Sequence, residues 1–246
     1  VTSLYQNTPY VGFAATNQGA VVGYPAGVFY GSYYARNADG TLLLNPVTGK
    51  NPQDIFPLPQ VERGDPVKND PIRVNGQPDG TPINKVLGDP NPDYTAHLIN
   101  ELRYKKFKLR TQVDRVAGFE MFNFTRTIRN NIGNGKMAEK ELRGELTRGW
   151  VAAVGGFVNG PVIWEEAVED ASFTKIRELS LSYQLNGLRG IKGMEFILTG
   201  RNLFTFTKYD GADPETSTAG QSILKGTDYC SYPIPRVIQF TIVTTF

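Results

Sequence analysis

The stretch that most constrains the chain is its last one, Tyr232 to Phe246, YPIPRVIQFTIVTTF. Beyond Pro235 it alternates with period two: Ile238, Phe240, Ile242 and Phe246 share one face, and Gln239, Thr241 and Thr245 share the other. That is a strand with one greasy and one wet side. From Arg236 to the end it runs 11 residues, the length a tilted strand needs to cross the hydrocarbon core of a bilayer. The closing strand of a soluble β-sandwich would alternate in the same way. This stretch alone leaves both open.

Composition narrows the choice. The chain has 246 residues with 26 Gly, 16 Pro, 12 Tyr and 14 Phe, which favours strands joined by turns over a helical bundle. No run of 18 apolar residues occurs, so a transmembrane helix is excluded, whereas alternating barrel strands average to ordinary hydropathy. The formal charge is +2, from 26 basic and 24 acidic residues, so nothing points to nucleic acid. One cysteine, Cys230, leaves no intrachain disulfide and no paired-cysteine zinc site. The single histidine, His97, has no local partner signature, so no catalytic group is expected. Val1 to Thr8 carries neither the basic head nor the apolar run of a signal peptide.

Along the chain, Val1 to Gly31 centres on GYPAGVFYG (Gly23 to Gly31), where periodicity does not separate strand from loop, and Asn37 to Gly40 suits a hairpin turn. Pro46 to Pro92 is dense in Pro, Gly, Asn and Asp and reads as one long surface loop. Two alternating strands follow, 94 to 104 and 106 to 117, with a turn of about two residues at Tyr104 to Lys106. Their wet faces carry Glu101, Arg103, Lys108, Arg110 and Asp114, more charge than a sandwich interior holds without pairing. A watery lumen would accommodate it; so would the solvent side of a sheet packed over a core.

Gly118 to Glu169 is a second long connection, with a helix expected over Lys136 to Thr147 and both tryptophans, Trp150 and Trp164, available as stacking platforms or loop anchors. Strands are expected at 172 to 185 and 194 to 205, with a turn at Asn186 to Gly193 and Asn202 on the apolar face beside Phe196 and Leu198. A third loop, Lys208 to Cys230, holds Asp210, Asp213, Glu215 and Asp228, whose spacing matches no EF-hand, so no metal is expected. With the final strand this makes five strands, plus one to three near the start.

ASFTKIRELSLSYQLN (Ala171 to Asn186), EFILTGRNLFTFTKYDGADPE (Glu195 to Glu215) and YPIPRVIQFTIVTTF resemble the C-terminal end of SusC/RagA-family TonB-dependent outer-membrane transporters. GYPAGVFYG and VLGDPNPDYTAHLINELRYKKFKLRTQVDRVAG (Val86 to Gly118) resemble earlier blocks of the family in the same order. The stretch before the GDPNP-like block, VKNDPIRVNGQPDGTPINK, departs from the acidic pattern usual there. The terminal Phe246 also matches the aromatic ending read by outer-membrane insertion machinery.

The resemblance implies an all-β fold: the C-terminal strands of a large antiparallel transmembrane barrel of about 22 strands with long extracellular loops. Residues 1–246 would be a C-terminal segment, with TonB box and plug domain outside this chain, because an open sheet in lipid leaves costly unpaired edges. It further implies a cell outer membrane of a Bacteroidota-like Gram-negative cell, import of nutrient oligomers (glycans or peptides), and no enzymatic activity or cofactor. Implied partners are a SusD-like surface lipoprotein, the remaining barrel and plug, TonB through that plug, and outer-membrane lipid. If cargo touches this segment, the expected residues are Trp150, Trp164, Tyr209 and Asp210. The competing readings are a soluble β-sheet surface module and a hydrolase using His97 or paired carboxylates.

Overall fold

The computed structural model describes residues 10–12, 18–33, 39, 84–145, 151, 164–188, 190–220, 222 and 224–246. In chain order the strands are β1 (Tyr10–Gly12), β2 (Gln18–Val21), β3 (Val28–Ser32), β4 (Asn84–Gly88), β5 (Tyr94–Tyr104), β6 (Phe107–Ala117) and β7 (Glu120–Asn123). Helices α1 (Phe124–Asn131) and α2 (Lys136–Leu142) and a 3-10 turn (Trp164–Ala167) precede β8 (Val168–Asp170), β9 (Phe173–Leu188), β10 (Ile191–Thr207), β11 (Thr227–Asp228) and β12 (Val237–Thr245). They fall into two compact units. No helix among the described residues is long and apolar enough to cross a membrane.

The first unit comprises 1–91, 120–169 and 217–231. It holds a four-stranded sheet, β1-β2-β3-β4, and a small sheet, β11-β7-β8, whose β11–β7 pair is parallel. Phe29, Phe122 and Ala167 are buried at its core, with Leu87, Phe124, Trp164 and Val168 packed around them. The expected long loop from Pro46 to Pro92 is corrected at its end, because Asn84–Gly88 pairs with β3. Apart from Asp39, the expected turn at Asn37 to Gly40 lies outside the described residues. The early strands form this sheet rather than extending the long one. Helix α1 starts where the Asn123 side chain accepts the Arg126 N–H at 2.9 Å, satisfying one of the orphan donors of the first turn. Helix α2 stops at Leu142, short of Thr147, just before Gly144 takes φ 75°, a left-handed stop that a Cβ disfavours.

The second unit comprises 92–119, 170–216 and 232–246. Its five strands form one antiparallel meander, β12-β10-β9-β6-β5. Sequence neighbours are spatial neighbours throughout, as in an up-and-down barrel wall. The β5–β6 connection is two residues, Lys105 and Lys106, with Lys105 at φ 54°. The β9–β10 ladder continues to Ile191 opposite Leu188, so the expected turn at Asn186 to Gly193 is shorter and both strands longer. At the other end the connections are long, from 118 to 172 and from 208 to 236. Short turns at one rim and long loops at the other match the two rims of an outer-membrane barrel.

Candidate functional site

Register assigns every strand residue of the second unit to one of two faces. Leu102, Leu109, Leu181, Leu198 and Phe240 stand opposite one another across all five strands. One pair nearer the short turns, Tyr104, Phe107, Tyr183, Phe196 and Ile242 form a second row, with Phe107 and Tyr183 ring centroids 4.8 Å apart. Phe204 and Phe206 lie on the same face near the long loops, opposite Ile176 and Thr174. From Tyr104 to Tyr94 the strand climbs ten residue steps. At about 3.4 Å per step and roughly 40° of tilt that spans about 26 Å, the height of a barrel's lipid-facing band between its aromatic girdles.

This apolar face is exposed: Leu102 is 59%, Leu198 51% and Phe240 62% accessible. The opposite face is polar and laced with ion pairs, although the Ser182 hydroxyl is buried without a partner. Glu101 pairs with Arg103 at 2.7 Å and Lys108 at 3.0 Å, and Glu178 pairs with Arg110 at 3.2 Å and Arg201 at 3.5 Å. Ser180 and Thr199 hydroxyls, directly cross-strand, are 2.8 Å apart.

Near the long-loop end these pairs become a network. Strict alternation from Leu179 would send Arg177 and Lys175 to the apolar face. Register breaks there, between Gln112 and Val113 on β6 and between Arg201 and Phe204 on β10. The extra residue turns both cations to the polar side, an effect for which β-bulges are known. Arg177 Nε donates to Asp114 at 2.6 Å, and its other nitrogens hold Glu215 through two bonds of 2.8 and 2.7 Å. Lys175 Nζ donates to Asp213 and to Glu215, both at 2.7 Å, and is only 1% exposed. Asp114 also meets His97 Nδ1 at 2.9 Å and accepts Gln112 Nε2 at 3.1 Å.

Asn202 was expected on the apolar face; instead it sits at the irregularity with φ 52°, accepts Arg177 at 3.2 Å and donates to the Pro235 carbonyl at 3.2 Å. Asp213 Oδ2 accepts the Ile234 N–H at 3.1 Å. The cluster therefore pins the segment after β10 and the approach to β12 onto the sheet. Burial alone would raise the Glu215 carboxyl; the hydrogen bonds and positive charge of Arg177 and Lys175 outweigh it and hold Glu215 below its ordinary value.

Of the residues singled out for cargo contact, Trp150 lies outside the described residues. Trp164 is half-buried against Phe122, ring centroids 5.1 Å apart, and a Cβ on Gly31 would come within 2.8 Å of it. Tyr209 is buried and Asp210 exposed. The structure does not bring the tryptophan and the Tyr209–Asp210 pair into one unit. Sequence reading missed the Lys175–Arg177 cluster; its only signal was the failure of alternation before Leu179. No group of three or more metal-ligating side chains occurs among the described residues.

No family model matches the chain. It is 30% identical over 167 residues to TonB-dependent receptor P3 of Formosa agariphila, a match covering 62% of this chain and 16% of that protein. Over 176 residues it is 29% identical to TonB-dependent receptor P26 of the same organism, covering 65% and 18%. The chain resembles part of a TonB-dependent receptor of the SusC/RagA kind. The solved RagAB peptide transporter superposes on 97% of it and on 25% of the transporter chain, with a TM-score of 0.60 and 22% identity. The RagAB peptide importer in its open-open state covers all of it, at TM-score 0.59 and 21% identity. At that identity the likeness establishes the receptor fold, in which this sheet is barrel wall. The chain spans about a fifth or less of the length of the curated receptors it matches.

Proposed function

We propose that this chain forms part of the wall and long loops of a TonB-dependent outer-membrane importer of nutrient oligomers, glycans or peptides, working with a SusD-like surface lipoprotein. The observation that carries the reading is the exposed apolar face of a sheet whose other face is laced with ion pairs. A soluble module would spend stability on such a face, whereas lipid makes it the favourable arrangement. The edges β5 and β12 would pair with the remaining barrel, and energy would reach the cargo path from TonB through the plug.

In this reading the protein moves cargo and catalyses no reaction. The long connections carry cargo contact, with Trp150, Trp164, Tyr209 and Asp210 as its residues; alanine at both tryptophans should weaken cargo affinity, and unchanged affinity removes them from the site.

The test is uptake of labelled peptides and oligosaccharides by cells lacking the gene and cells carrying the full-length receptor. Uptake that requires the receptor and stops with a protonophore is expected. Extraction of the full-length protein without detergent would contradict the reading and favour the soluble module.

A further inference from the structure

The short-turn rim carries an unused positive charge. Lys105, Lys106 and Lys192 are exposed there, on the β5–β6 turn and at the start of β10. Among the described residues none of the three has a carboxylate within ion-pair distance, whereas the nearby Arg103 and Lys108 are already held by Glu101. The Gln184 N–H donates to the Lys106 carbonyl at 2.9 Å, which ties the β5–β6 turn to β9. Directly above them on the apolar face stands the row of Tyr104, Phe107, Tyr183 and Phe196, with Tyr104 70% exposed and Lys105 Nζ 5.3 Å from its ring centroid. Aromatic rings mark the depth of the headgroups, so the ammonium groups of Lys105 and Lys106, one residue from Tyr104 and Phe107, sit at the depth of lipid phosphates, with Lys192 four residues beyond Phe196 on the same rim.

We infer that this rim is a binding site for the headgroup phosphates of anionic phospholipid, taken from the leaflet on the short-turn side. The chemistry fits: three compact point charges on flexible stems, none held in an ion pair among the described residues, suit mobile phosphates better than a fixed bidentate ligand. The aromatic row supplies the apolar shelf for the glycerol and upper acyl segments. A soluble acidic partner would lack any use for that shelf. The inference rests on the membrane reading above, and its test separates the two.

The full-length receptor is purified in detergent, and phosphatidylglycerol and phosphatidylcholine retention are compared by native mass spectrometry. Preferential retention of phosphatidylglycerol is expected for the natural protein. Lys105→Gln, Lys106→Gln and Lys192→Gln combined should remove that preference, by about fivefold per lysine, and Lys192→Gln alone should remove part of it. Heat-modifiable gel mobility reports that each variant is folded. Lys208→Gln, at the opposite end of the sheet, should leave the preference intact. An unchanged preference in the folded triple variant overturns the inference, as does an equal loss from Lys208→Gln. A natural protein that is soluble without detergent overturns the membrane reading itself.

Discussion

The two faces of the five-stranded sheet obey opposite rules. On one, Leu102, Leu198 and Phe240 are more than half exposed; on the other, Lys175 is almost fully buried among carboxylates. A water-soluble sheet hides its apolar side and wets its charged one. Here the sequence alternation is ordinary and yet the apolar face stands exposed, which teaches that period two specifies two faces without saying which solvent each will meet. The charge pairing decides it: cations and carboxylates that hold one another across the strands, down to a Lys175 only 1% exposed, suit a face set toward a polar interior.

The largest effect that would sharpen the contrast comes from the buried network. Lys175→Met should cost about 3–5 kcal/mol, because it leaves Asp213 buried beside a lost cation; chemical denaturation of the folded, reconstituted protein measures it. Next is Leu198→Arg, expected to cost about 1–2 kcal/mol in lipid, two residues inside the aromatic row at one edge of the apolar band. Gln239→Arg, on the polar face of the neighbouring strand, should be close to neutral. Folding titrations into vesicles compare the two, and equal costs would break the distinction between the faces.

Smaller is Asn202→Ala, expected to cost about 1 kcal/mol through its φ of 52° and its bonds to Arg177 and Pro235. The gentlest probe is pH. Because Glu215 titrates below its ordinary value of 4.5, its contribution is complete above that pH and is lost as pH falls through the lower, folded value. Amide protection of 208–216, relative to unstructured exchange at the same pH, should therefore fall below pH 4.5 in the natural protein and change less in Glu215→Gln; identical profiles would remove Glu215 as the latch.

The five long strands were legible because each carries its own periodicity: Tyr94–Tyr104 is bounded by the structure as the alternation bounds it. Most of what escaped depended on partners distant in sequence. The two-residue strand Thr227–Asp228 pairs with Phe122 and Asn123, and no window around either reports the other. Helix α1 hid inside an aromatic-rich stretch, although Asn123 followed by Arg126 contains its cap. Asp213 and Glu215 were weighed as cation ligands because their cations, Lys175 and Arg177, lie 38 to 40 residues away and reach them only through a bulge. The cargo residues were chosen by residue type alone, without a geometry to bring them together.

The most direct test of the central claim places an environment-sensitive fluorophore on each face of β10 in the full-length receptor reconstituted in vesicles. Leu198→Cys and Thr199→Cys, each with Cys230→Ser, are labelled and challenged with lipids brominated along their acyl chains. The inverted sheet predicts strong quenching at position 198 and little at position 199. Equal quenching at both, or quenching at neither, would contradict it.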